Sequence, residues 1–433
     1  MHAKTVSGLT TQRKKSMFQA AQTAEKCTSP TECVPSVATT EDARSSQKSK
    51  NSRLGFPKRS PHPLTDLSDA LCSQRTSPCL MDNVIDSQRT KSTENPGAIG
   101  VANPKESPLA HIGIDLLGGD LASLAHLLAT LHALYSEIST PFCLTVFAHP
   151  DMTSSIEAFK VANEIKRLEV VETREVIDMD EDPLHAIRKK RGASMCLGME
   201  LLKNKQLDAL ISTGNTGALI ASAKLHLPML KGISRAALIT LLPTRKEPVA
   251  VIDVGANIQC TPEHLVHFAQ MGLAYQKSRG IAEPKIGLLN IGTEEKKGRL
   301  ELRETYKLLQ SFSGFAGNVE GKEVFSGKIH VLVTDGFTGN VFLKTAEGIS
   351  AFILETLHNN KKLLPFSGPL LRRLEQELYS AEYPGAILCG VDGIILKCHG
   401  DAEPEALKCS VEGALKLIEE NFLNKIKTEL ISD

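Results

Sequence analysis

The chain has 433 residues, 41% of them hydrophobic and only 4% aromatic, and its 50 Lys and Arg balance its 50 Asp and Glu. That neutrality hides an asymmetry: residues 1–107 carry 15 basic against 10 acidic side chains, so the remainder carries 35 against 40. A mildly acidic, aromatic-poor body excludes nucleic acid as the expected partner.

Residues 1–107 are rich in Ser, Thr, Lys, Arg, Gln and Pro and show no sustained apolar period. Such a stretch buries too little apolar surface to offset its ordering entropy and is expected to be disordered. Three readings stand for it: a flexible extension, a targeting or interaction segment, and a translated upstream region. Its acidic residues argue against a transit peptide, and a passenger without catalytic function is favoured. Six of the ten Cys lie beyond the tail, and none of the ten forms a C-x-x-C pair. This is the usage of a reducing, cytoplasmic compartment. The run Leu121–Ser136 contains His126 and His132 and is too short to span a bilayer.

From residue 108 the pattern becomes regular. HIGIDLLGGD (111–120) reads as a strand and turn, and LASLAHLLATLHALYSEI has helical period. PFCLTVFAH (141–149) and LEVVET (168–173) read as strands, and IRKKRGAS (187–194) as a basic cluster ahead of a helix. ALIST leads through GNTG into a helix near Ala218–Leu227, and VAVIDVGA (249–256) is a strand. Thr261-Pro262-Glu263 has the signature of a helix start, with Thr as N-cap, Pro in the first turn and an acid at the positive dipole end. That helix is predicted to run to about Ser278. KIGLLNIG, KIHVLVTDG and GIILKCH (393–399) read as further strands, with helices over GRLELRETYKLLQSF, from Val341 to about His358, and from Pro404. A helical hairpin is expected over 355–382, with the tip KKLLPFSGPLLRR. Strands alternating with helices predict a mainly parallel sheet covered on both faces, with ligands beyond the carboxyl ends of its strands.

Five of the strands end in Gly-containing turns, expected to gather on one sheet edge. Each turn has two readings. Gly118, Gly119 and Asp120, or Gly214, Asn215, Thr216 and Gly217, could cradle an anion or could let a strand and helix pack closely. Asp253 and Asn257, like Asp120, could face a ligand or bond to turn N–H groups. Lys296 and Lys297, after Asn290, could supply charge at a phosphate site or be solvated. Asp335, Gly339 and Asn340 could face a ligand, or Asn340 could simply cap the helix after it. The P-loop, G-x-G-x-x-G and H-E-x-x-H patterns do not occur. His264 and His267 read as polar helix residues. Gly232-Ile233-Ser234-Arg235-Ala236 departs from the hydrolase elbow at its last position and precedes a strand.

Together, IDLLGGD, ISTGNTGALIASA, KGISRAALITLLPT, DVGANIQCTPEHLVHFAQMG, GLLNIGTEEKKG, GNVEGKEV, VTDGFTGNVFLKTAEG and EYPGAILCGVDGIILKCHG resemble the bacterial phosphate acyltransferase family, PlsX, over about residues 110–425. The resemblance implies a three-layer α/β/α sandwich similar to isocitrate and isopropylmalate dehydrogenases, filling 108–433 and usually dimeric. It implies reversible transfer of a fatty acyl group from acyl carrier protein to inorganic phosphate, and the acyl phosphate then feeds phospholipid synthesis through a membrane glycerol-3-phosphate acyltransferase. No cofactor or metal is expected. It assigns the catalytic roles to Lys297 and Asn340, with the turn residues named above binding substrate. An acidic carrier protein would dock on Arg188, Lys189, Lys190 and Arg191, or on Lys361, Lys362, Arg372 and Arg373. The 361–373 tip, with Leu363, Leu364, Pro365 and Phe366, also suits peripheral contact with the inner face of the cell membrane. Departures from the family are Leu116-Leu117, the missing Pro after Gly118-Gly119-Asp120, Pro384, and Asp401 where a hydroxyl is usual. Asp401 is expected to cap the last helix.

Overall fold

The strand-like runs are near-continuously apolar, the pattern of strands buried on both faces. In the computed structural model, which describes residues 109–359, Gly368 and 385–432, they form one sheet of eleven strands. The first half runs β1 (His111–Asp115), α1 (Leu124–Glu137), β2 (Cys143–Ala148), α2 (Pro150–Ala162), β3 (Leu168–Glu172), α3 (Pro183–Lys189), α4 (Ser194–Lys203), β4 (Ala209–Ser212) and α5 (Thr216–His226). The second runs β5 (Ala237–Leu242), β6 (Val249–Ile252), α6 (Pro262–Ser278), β7 (Ile286–Leu289), α7 (Leu300–Leu309), β8 (Phe315–Val319), β9 (Val331–Val333) and α8 (Gly336–Asn359). After residue 385 come β10 (Ala386–Cys389), β11 (Ile394–Lys397), α9 (Pro404–Glu419) and α10 (Phe422–Ser432).

The strand order is β3-β2-β1-β4-β11-β10-β5-β6-β9-β7-β8. Successive residues of one strand feed opposite cores: Ala209 and Ile211 of β4 belong to the core that also holds residues of α1, α6 and α9, whereas Leu210 belongs to the core that holds residues of α4 and α5. The same alternation holds in β6, where Ala250 and Ile252 face one core and Val249 and Val251 the other. Helices therefore cover both faces, giving the expected three layers. Thr261 caps α6 as the sequence predicts, in a capping box with His264.

The sheet is mainly parallel, but β10–β11, β10–β5 and β5–β6 are antiparallel. This corrects the expectation of one shared edge. β1, β4 and β11 are mutually parallel. β6, β7 and β9 are parallel to one another and run the opposite way. The turns after β1, β4 and β11 thus leave one edge, and those after β6, β7 and β9 leave the other.

Two helix starts also differ from expectation. α8 begins at Gly336 rather than Val341, because the Asp335 carboxylate accepts from Thr338 N at 2.8 Å and caps it there. Asn340 is consequently not a cap. The N-cap position of α9 is Glu403, without a side-chain cap bond, so Asp401 does not cap that helix. The 1–107 tail and almost all of the predicted 355–382 hairpin, with its whole tip apart from Gly368, lie outside the described residues.

Candidate active site

The turn after β6 is built on Asp253. Its carboxylate is fully buried and accepts from Leu238 N (3.0 Å), Gly255 N (3.1 Å), Ala256 N (2.9 Å), Asn257 N (2.7 Å) and Asn257 Nδ2 (2.9 Å). Burial pushes the carboxyl up from its ordinary value, and the donors oppose that push. Asn257 spends its amide on Asp253 and on the Ala236 carbonyl, at 2.8 Å. Both residues are therefore the framework of the turn, the second of the two readings above.

This turn is pressed into the first turn of α8. Gly336 N donates to Asn257 O at 2.8 Å, and a Cβ on Gly336 would lie 2.7 Å from that same oxygen. A Cβ on Gly339 would collide with the Asp253 carbonyl and approach Thr334 Cγ2 at 2.8 Å. The glycines of the 335–340 motif thus serve backbone-to-backbone approach. The contact brings Gly255 beside Asn340: a Cβ on Gly255 would touch the Asn340 side chain at 3.8 Å. Asn340 itself is exposed, so its amide is accessible from solvent.

The turn after β7 is braced from within. Asn290 is buried, and its amide donates to Lys297 O and Asn318 Oδ1, both at 3.1 Å. Asn318 in turn donates to Glu294 O at 2.9 Å. These bonds hold the 291–298 loop while leaving the Lys297 side chain exposed. Gly298 takes φ +86°, where any other residue is strained, and a Cβ there would strike the Asn290 amide. The next residue, Arg299, pairs with the buried Asp335 carboxylate. Between these two loops, α7 and α8 lies a cleft of about 610 Å³, lined on one side by Leu289, Ile291, Gly298 and Arg299 and on the other by Thr338, Val341 and Phe342. The neighbours of Lys297 and of Asn340 thus form its opposite walls.

On the other edge, Gly118 and Gly214 pack backbone to backbone; a Cβ on Gly118 would lie 3.1 Å from Gly214 Cα. Asn215 caps α5 through Ala218 N at 3.0 Å and ties down the 178–181 loop through Met179 O at 2.9 Å and Glu181 O at 3.2 Å. A Cβ on Gly217 would meet Pro183 Cγ at 2.7 Å. Thr216 opens α5 and is half-buried. Gly119 sits against Thr213 and Gly400, and Asp120 N donates to Gly400 O at 2.7 Å.

Two lysines and a histidine stand at this edge without a turn signature in the sequence. Lys397, at the end of β11, is 9% exposed and donates to Thr213 O at 3.1 Å and to Cys398 O. Burial holds its ammonium below the ordinary lysine value, against the pull of Cys398 and Asp115. Asp115 is itself buried, which pushes its carboxyl up, and it accepts from Ser212 Oγ at 3.0 Å. Lys344 and His399 meet at 3.2 Å, and Glu347 bonds to Lys344 at 2.9 Å. Lys344 stands one helical turn after Asn340, on the same face of α8. α8 therefore starts at one sheet edge and reaches the other through its Lys344–His399 contact. A lysine four residues past a suspected functional Asn on a predicted helix was the available signal, and the helix start assigned at Val341 obscured it.

Of the predicted docking cluster, Arg188, Lys189 and Arg191 are exposed, but Lys190 turns inward to Glu181 at 2.6 Å and Val176 O at 2.6 Å. Burial first, then the carboxylates of Asp253 and Asp335, push the Cys260 thiol up to about 12, which disfavours the thiolate that a nucleophilic role would need. Ser234 and His267 meet at 3.0 Å through Nδ1, tying the loop before β5 to α6.

Residues 110–425 match the family described as "Fatty acid synthesis protein". A protein named "Phosphate acyltransferase" from Chlamydia pneumoniae is 40% identical over 326 residues, covering 74% of this chain and 99% of that protein. One of the same name from Pseudomonas fluorescens is 37% identical over 328 residues, covering 74% and 97%. Among solved structures, a phosphotransacetylase from Streptococcus pyogenes superposes with a TM-score of 0.49 at 16% identity, covering 72% of this chain and 94% of that one.

Proposed function

Because the chain belongs to the fatty acid synthesis protein family, within its phosphate acyltransferases, and is an acyltransferase working between an acyl group and phosphate, we propose that its donor is a fatty acyl thioester of acyl carrier protein and its acceptor inorganic phosphate. A phosphate oxygen attacks the thioester carbonyl carbon and the C–S bond breaks. The proton of hydrogen phosphate passes to the departing pantetheine sulfur, leaving acyl phosphate and free carrier protein. Phosphate is already a competent nucleophile, so the protein must position it and offset the repulsion between its charge and the developing oxyanion. Lys297 supplies the neutralising charge, and Asn340 donates to or orients the reacting oxygen. The observation that supports this most is their placement: two accessible polar side chains whose chain neighbours form opposite walls of one cleft.

Lys344, one turn along α8, adds positive charge, and its partner His399 helps to hold phosphate. The turns of Gly118, Gly119 and Asp120, and of Gly214 to Gly217, shape the opposite rim. Arg188, Lys189 and Arg191 offer basic charge to an acidic carrier protein. The active form is a homodimer, working in the cytoplasm and visiting the inner face of the cell membrane, where a glycerol-3-phosphate acyltransferase consumes the product. No helix among the described residues is long and apolar enough to cross a membrane.

The test is incubation of purified protein with palmitoyl carrier protein and phosphate, with acyl phosphate as the readout. Product is expected. Product from palmitoyl coenzyme A alone would overturn the donor, and no product from either would overturn the function.

A further inference from the structure

The cleft between α7 and α8 is not explained by phosphate. Its walls are the side chains of Leu289, Ile291, Leu302, Val341 and Phe342. Its charged members, Arg299 and Asp335, are paired with each other, and Asp335 also accepts from Thr338 N and Thr338 Oγ1. The amide of Asn290 is spent on Lys297 O and Asn318. An anion entering there would meet apolar surface and a carboxylate, with the one guanidinium already committed.

From this we propose that the cleft is the binding site for the hydrocarbon chain of the acyl donor, an inference that rests on the acyl-transfer reading above. Size supports it. A volume of about 610 Å³ lies within the ~300–1,000 Å³ of small-molecule sites. At roughly 30 Å³ for a group the size of a water molecule, it holds on the order of 20 such groups, a long chain rather than a short one. Position supports it as well. Gly298 and Arg299 follow Lys297, and Val341 follows Asn340, so a chain lying in the cleft touches the immediate chain neighbours of both residues. Ile291 is 80% exposed and Val341 52%, an apolar rim with a use if a chain passes over it. Each methylene taken out of water then changes affinity about fourfold, which makes the cleft a chain-length gauge.

The experiment is a series of acyl carrier protein donors from octanoyl to stearoyl, compared by kcat/KM. Leu302→Trp fills the cleft and should lower kcat/KM for palmitoyl at least tenfold relative to octanoyl. Phe342→Ala enlarges it and should move the optimum to longer chains. Ile291→Asp, at an exposed position that leaves folding intact, should penalise long donors at the rim. If the variants scale every chain length by one factor, the cleft holds the pantetheine arm or a second copy of the chain, and the proposal is overturned. Binding of a fluorescent stearic acid analogue gives a readout without turnover. It should be competed by palmitate and weakened at least tenfold by Leu302→Trp or Ile291→Asp. Wild-type protein that binds the analogue in this way but makes no acyl phosphate would sink the acyl-transfer reading and leave the cleft assignment standing. Active protein with an unchanged chain-length profile would do the reverse.

Discussion

Asp253→Asn tests whether one buried carboxylate organises the second half of the site. The wild-type carboxylate divides its donors, with Leu238 N, Gly255 N and Ala256 N on Oδ1, and Asn257 N and Asn257 Nδ2 on Oδ2. An amide retains a single acceptor oxygen. Turned toward the three donors, it sets its own NH2 against the other two. Each buried donor left unsatisfied costs about 1–3 kcal/mol, so the loss is roughly 2–6 kcal/mol. That is a large share of the ~5–15 kcal/mol typical of a folded domain. Urea unfolding followed by circular dichroism should show a lower midpoint at unchanged slope. The folded fraction should also turn over more slowly, because the same turn seats Gly255 beside Asn340. A variant within about 1 kcal/mol of wild type would refute the argument, since it would mean that the donors find other partners and the carboxylate is dispensable.

Three further outcomes are expected. Lys297→Ala and Asn340→Ala should each cut kcat by ~10²–10³ with unchanged unfolding midpoints, because both side chains are exposed; near-normal turnover would remove them from the chemistry. Lys344→Ala should raise KM for phosphate roughly tenfold or more, the worth of one charge-assisted hydrogen bond, with kcat less affected. An unchanged KM would reduce the Lys344–His399 contact to a structural tie. Burial holds the His111 imidazole below its ordinary value of 6.5, against the nearby Glu169 and Asp208. The folded state therefore binds fewer protons than the unfolded chain, so stability is full above pH 6.5 and declines as pH falls through the interval below it. His111→Gln, which keeps a partner for Thr145 Oγ1, should flatten that part of the urea-midpoint profile, and an unaltered profile would show that His111 does not contribute.

Much of this fold is legible because its elements announce themselves locally. The capped start of α6 at Thr261-Pro262, the strand at 209–212 and the helix over 300–309 follow from period and capping chemistry alone. The direction of each strand does not. Nothing in the β5 or β10 segments says that they run against their neighbours, since register and polarity are set by partners distant in sequence. That is why five similar turns were expected on one edge and are found on two. The roles of Asp253, Asn257 and Asn290 were hidden for a similar reason. A side chain that faces a ligand and one that braces its own turn have the same sequence signature, and only the count of filled acceptors separates them.

The antiparallel centre of the sheet creates a problem that α8 solves. A parallel sheet gathers its turns at one edge, where a ligand can touch several of them. Here the Gly118 and Gly214 turns lie at the edge opposite the Asp253, Asn290 and Asp335 turns, so another element must link the two groups. α8 has 24 residues, a rod roughly 36 Å long. Its first turn is locked onto the Asp253 turn through Gly336 and Gly339, and its Lys344 reaches His399 beyond β11. Asn340 lies between those anchors. Its backbone is placed by the first contact, and the exposed Lys344–His399 contact lies one turn further on. A side chain at Gly339 would break that lock, whereas loss of Lys344 leaves it in place. Gly339→Ala should therefore impair folding and turnover together, whereas Lys344→Ala should leave the fold intact and act on phosphate.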